Sequence, residues 1–160
     1  MKDSYTLSLS MGMGAVAGMR PMAAPAIIAW AVQHRWLHIG SSPFATIISG
    51  SASRRIGELA ISELIVDKLP FTSSRLNAGP LATRIASGMV CGVALCSAVK
   101  KPIANGAVLG GLAAIAGAFA GYHIRKRLSR DMPDFAAGLL EDAFAITGGV
   151  LITALIATRR

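Results

Sequence analysis

Apolar residues fall in five blocks along this chain, separated by short polar stretches. The first covers residues 7–32 and is broken near Arg20-Pro21 and again at Pro25. The second covers 43–69 and is interrupted by a polar run from Gly50 to Arg54-Arg55. The third (81–99) carries Arg84 near its start, and the fourth (103–122) carries no charge. The fifth (135–158) holds Glu141 and Asp142 in its first third. About 20 apolar residues cross a bilayer core as a helix, and the last three blocks reach that length easily. Pro43, Pro80, Pro102 and Pro133 stand where helices start, and Pro70 closes the second block. No alternating strand pattern of a barrel is present. The pattern predicts an all-α integral membrane helical bundle of four to five transmembrane helices with a proline-broken first helix. Residues 1–160 form one transmembrane domain. The second block has two readings: a full crossing, or an interfacial helix over 43–49 followed by a shorter membrane helix over 56–69.

Composition agrees with the pattern. Hydrophobic residues make up 53% and charged residues 15% of the chain, against about 25% charged in soluble proteins. The net charge is +8. The basic residues sit in short runs flanking the apolar blocks: Arg54-Arg55, Lys100-Lys101, Arg125-Lys126-Arg127 and Arg159-Arg160. This is the pattern of flanks meeting anionic headgroups, not of a nucleic-acid surface. With five crossings, seven lysines and arginines fall on each side, so charge gives no orientation. If the second block does not cross, the split is nine to five and both termini lie outside. The amino-terminal block is too long, and too weakly basic at its start, for a cleaved signal; it reads as a retained helix.

The charges inside the blocks are the candidate site. A charge at membrane depth costs about 2.5–3.5 kcal/mol on insertion scales, and proline breaks the helix ladder. Arg20, Pro21 and Pro25 therefore need partners within the protein or in a wet cavity. Arg20 is expected to face one or more of Glu63, Asp67, Glu141 and Asp142. Glu63 and Asp67 are one helical turn apart and share a face, whereas Glu58 is rotated away. Such residues mark ion or substrate paths, and broken helices expose ends that hold ions. The competing reading is an arginine–carboxylate pair that only fixes helix register, with the others at headgroup level. Asn105 and Tyr122 are further polar candidates.

Glycines recur four residues apart at Gly14/Gly18, Gly88/Gly92, Gly106/Gly110 and Gly117/Gly121. This spacing lets helix backbones approach closely, within one chain or across a homodimer. Cys91 and Cys96 read as small packing residues that cannot pair with each other. His34 and His38, beside Trp30 and Trp36, read as an interfacial aromatic belt in preference to a metal site. No nucleophile elbow, phosphate loop, zinc signature or dinucleotide fingerprint is present, so no enzyme, cofactor or metal is expected.

The run from Gly14 through Arg20-Pro21 to Pro25 resembles the start of the bacterial membrane family catalogued as domain of unknown function 4126. The run Glu63-Leu-Ile-Val-Asp67-Lys-Leu-Pro70, with Arg75 after it, is similar to that family's glutamate-to-proline stretch, and Leu140-Glu141-Asp142 looks like its late acidic motif. The resemblance covers nearly the whole chain. It implies a multi-helix inner-membrane protein and no known activity. Arg54-Arg55 departs from the more apolar second helix associated with the family. The expected function is a small transporter or permease-like protein in the lipid bilayer of the bacterial inner membrane, working as a homodimer through the faces of Gly106, Gly110, Gly117 and Gly121. The alternative is a structural or accessory membrane protein whose charges order the bundle.

Overall fold

The computed structural model describes residues 3–39, 50–66 and 77–158. Among them are six helices: α1 (Asp3–Met19), α2 (Ala23–Gln33), α3 (Gly50–Val66), α4 (Ala78–Ala98), α5 (Ile103–Asp131) and α6 (Asp134–Ala157). The last three are long and apolar enough to cross a membrane. Pro102 and Pro133 stand immediately before α5 and α6. There the fixed φ of proline suits helix entry and its missing N–H costs nothing. The expected starts at Pro43 and closure at Pro70 lie outside the described residues.

The core is built on glycine. A β-carbon on Gly92 would collide with the backbone of Gly106, one on Gly88 with Gly110, one on Gly14 with Gly110 and one on Gly117 with Ala15. Thus α1, α4 and α5 touch backbone to backbone, which adds dispersion contacts where lipid supplies no hydrophobic drive. The pairings also fix direction. Gly14 meets Gly110 and Gly18 meets Ala114, so α1 runs parallel to α5; the Gly88/Gly110 and Gly92/Gly106 pairs make α4 antiparallel to α5. This corrects the face assigned to the expected homodimer. Gly106, Gly110, Gly117 and Gly121 are all buried within the single chain, so their faces are not free for a second copy.

The first block differs from a single broken crossing. Against α6, Gly12 lies at Ile152 and Val16 at Gly148, and Arg20 pairs with Asp142. A continuing helix would carry Ile27 further toward the start of α6. Instead, Ile27 packs on Gly149, beside Val16. The chain therefore folds back at Arg20-Pro21-Met22, and α1 and α2 form a helical hairpin. Leu37 and Ile39, beyond α2, accordingly join the buried cluster of Leu9, Leu95, Ala98 and Ile156. Pro25 is not a second break; it sits in the first turn of α2, where its lack of an N–H is tolerated.

In the second block, the polar run from Gly50 to Arg55 is helical, within α3; the expected interfacial helix over 43–49 lies outside the described residues. Gln33 Nε2 donates to Ser53 Oγ at 2.5 Å, and Met22 N–H donates to Glu63 Oε2 at 2.8 Å. These two contacts lay α3 antiparallel along the whole of α2. Arg54 and Arg55 are thereby placed at the end of the bundle where α2 finishes. Apart from the buried Arg20 and Arg84, the described lysines and arginines then divide as Arg35, Arg54, Arg55, Lys100 and Lys101 at one end and Arg125, Lys126, Arg127 and Arg130 at the other.

Candidate functional site

The hairpin tip is a buried polar knot, and each of its members has a local reason to be there. Pro21 cannot continue the ladder of α1, so the helix stops at Met19 and exposes its last carbonyls. The Arg84 guanidinium, from α4, takes two of them: Nη1 lies 2.7 Å from both Gly18 O and Met19 O. A cation at a helix carboxyl end also matches the negative end of the helix dipole. Ser87, one turn on along α4, donates its hydroxyl to Pro21 O. At the other side of the break α2 begins, with its positive dipole end toward the tip. Glu63 of α3 meets it there, its carboxylate accepting the Met22 N–H. Each helix end thus faces a side chain of opposite sign.

Arg20 itself points into the bundle. It is 1% exposed and Asp142 is 6% exposed, and Arg20 Nη2 forms an ion pair with Asp142 Oδ1 of α6. Next along α6, Glu141 turns toward Arg125, with Nη1 to Oε2 at 3.9 Å. Arg125 also holds Asp134 through paired bonds of 2.9 and 2.7 Å. Ser129 joins that exposed carboxylate at 2.9 Å.

Of the residues marked in the sequence, Arg20, Pro21, Glu63 and Asp142 converge at the tip. Pro25 is buried beside it in α2. Glu141 belongs instead to the Arg125 group at the α5–α6 turn. Asp67 lies outside the described residues. Asn105 is exposed on α5, away from the knot. Sequence reasoning missed Arg84 and Ser87 as site members. The signal was the i, i+3, i+4 series Arg84, Ser87, Gly88, which puts two polar groups beside a close-packing glycine on one helix face.

Among the described residues, no three His, Cys, Asp or Glu side chains are grouped to hold a metal ion. Trp30 stacks on His34 with ring centroids 4.3 Å apart and meets Trp36 edge-on at 5.0 Å. All three are exposed at the carboxyl end of α2, as interfacial aromatics are.

A break in a buried helix hairpin, closed by charges from three other helices, now carries the motifs that the sequence singled out. The family model described as domain of unknown function DUF4126 matches residues 7–158. The chain belongs to that family. No curated protein and no solved structure matches it. Family membership brings no activity with it, so the function rests on the site.

Proposed function

We propose that this chain is a small transporter or permease-like protein of the bacterial inner membrane, with its site at the Arg20–Met22 hairpin tip. The observation that carries the reading is Glu63 on the amino end of α2. Broken helices in transporters present such ends to anionic groups, and a resident carboxylate occupies the same position here. Glu63 comes from α3, which packs chiefly on α2. Among the described residues, it is the least packed of the helices that supply the knot. In the proposed cycle Glu63 takes a proton from one side, leaves Met22 N–H, and is replaced by a small anion within reach of the Arg20 and Arg84 field. Release of the anion lets Glu63 lose its proton and return. The reading involves no covalent step. A chain this short has few helices to enclose a path, so we place the working unit as a homodimer joined by a face other than the glycine seam.

The test is flux in proteoliposomes carrying a pH-reporting dye, challenged with gradients of acetate, chloride or inorganic phosphate. Wild type is expected to move protons with at least one anion. Glu63→Gln is expected to uncouple protons from anion, and Arg20→Gln to abolish movement. Absence of flux with every probe, from protein shown to be folded, overturns the reading.

A second reading is that the charges only order the bundle. It is favoured by one observation: both helix ends at the tip already have mates within the chain. Against it, apolar replacements hold helices together as well as buried ion pairs do, or better.

A further inference from the structure

A groove of about 610 Å³ runs beside the hairpin, on the outer side of α2. Its floor is Ala23, Ala26, Ile27 and Trp30 of α2. One wall is α3, and the other is Ile146 and Val150 of α6. The lining is apolar except at one end, where Gln33, Ser53 and Arg54 stand. Gln33 and Ser53 bond to each other. The exposed Arg54 guanidinium has no partner among the described residues. Trp30, 42% exposed, and its stacked neighbour His34 mark this same end as headgroup depth. From there to Ala23 the groove follows about 15 Å of helix, at 1.5 Å per residue.

We propose that this groove is a binding site for one anionic phospholipid, with its phosphate on Arg54 and one acyl chain along α2 toward Ala23. Three observations fix the occupant. The trough is apolar and open to the side, so in a bilayer it fills with hydrocarbon, not water. Among the described residues, its only charged lining residue is Arg54 at the headgroup end, a cation that complements a phosphate. Its length matches the greater part of one acyl chain. The inference is independent of transport at the hairpin tip, since Arg54 lies at the opposite end of α3 from Glu63.

The chain has two tryptophans, and Trp36→Phe leaves Trp30 as a single reporter in the groove. The protein is reconstituted in phosphatidylcholine containing a small fraction of either phosphatidylglycerol or phosphatidylcholine brominated on the acyl chain. Quenching of Trp30 by the brominated phosphatidylglycerol is expected to exceed that by the brominated phosphatidylcholine, with an apparent preference of about fivefold, the scale of one arginine at an anionic surface. Arg54→Gln in the same background should erase the preference, and Lys126→Gln, at the other end of the bundle, should keep it. Ala60→Leu, which adds bulk to the α3 wall, should lower quenching by both lipids. Equal quenching by the two lipids in the parent, or a preference unchanged by Arg54→Gln, overturns the proposal. Arg54 is exposed, so that variant decides the matter even if Ala60→Leu does not fold.

Discussion

Removing one partner of the Arg20–Asp142 pair should cost far more than removing both. Both side chains are almost wholly inside the protein, at 2% and 9% exposure. Arg20→Met leaves a carboxylate buried without its cation, and Asp142→Leu leaves a guanidinium without its anion. Breaking a buried pair in this way costs about 3–5 kcal/mol. For a chain of this size, each kcal/mol moves the melting point by about 2–4 °C, so each single variant should lose about 6–20 °C. The double variant Arg20→Met/Asp142→Leu behaves differently. The hairpin tip keeps Arg84 on the Gly18 and Met19 carbonyls and Ser87 on Pro21. Arg20 N–H keeps its backbone bond to Val16 O at 2.8 Å. The pair is lost as a unit, and well-packed apolar replacements of buried pairs are neutral or stabilising by about 1–4 kcal/mol. The assay is thermal unfolding of the detergent-purified protein, followed by tryptophan fluorescence, for the four members of the cycle. If the losses of the single variants simply add in the double variant, the two groups are not coupled and the argument fails. If the double variant is stable but silent in the flux assay, the pair belongs to function and not to scaffolding.

Other parts of the structure give sharper contrasts. Gly92→Ala pushes a methyl group into the backbone of Gly106 and should cost about 1–3 kcal/mol or more. Gly57→Ala, in open space within α3, should gain about 0.4–1 kcal/mol in the same unfolding assay. Arg84→Gln gives up two charge-assisted bonds at the end of α1, each worth about 1.5–3 kcal/mol, and should destabilise as strongly as a single variant of the Arg20–Asp142 pair. Cys91 and Cys96 are fully buried, so impermeant maleimide should label wild type only after denaturation. That silence allows a topology test with introduced cysteines. His34→Cys and Lys101→Cys should label from one side of the membrane and Lys126→Cys from the other; labelling of His34→Cys together with Lys126→Cys would refute the hairpin.

The sequence made the break visible but not the fold-back. Pro21 and Arg20 announce a helix end by their chemistry alone, and the three long apolar blocks announce α4, α5 and α6 by length. The direction of the chain after the break is decided by what it packs against, here Gly149 of α6, more than a hundred residues away. Asp142 could be guessed as a partner of Arg20 because few carboxylates lie within apolar blocks. Arg84 was harder to place. Near the start of an apolar block it looks like a headgroup anchor, and only the tertiary placement of α1 shows the carbonyls that it binds. The glycine spacing was legible as close packing, but one chain and two chains leave the same imprint on it. Arg54-Arg55 misled for a physical reason: a charged pair halts an apolar run on paper, whereas at the end of the bundle it can sit inside a helix with its charges toward water and headgroups.

A hairpin tip within a bundle poses a stricter problem than a loop in water, because water is not there to satisfy exposed backbone groups. The tip meets this group by group. Pro21 has no N–H to satisfy, and its carbonyl takes the Ser87 hydroxyl. The end of α1 takes Arg84, and Met22 N–H, at the start of α2, takes Glu63. Of these partners, Arg84 and Ser87 are fixed on α4, the helix most extensively packed in the bundle with α5. Glu63 stands on α3, which has one main neighbour, α2, among the described residues. The same polar closure is therefore rigid on the α1 side of the tip and weakly anchored on the α2 side. That asymmetry puts any exchange of partners at Met22. Glu63→Gln, which keeps the shape and removes the charge, should consequently disturb stability less than Arg84→Gln while disturbing flux more. A Glu63→Gln variant as unstable as Arg84→Gln would place Glu63 with the scaffold and leave the transporter reading without its moving part.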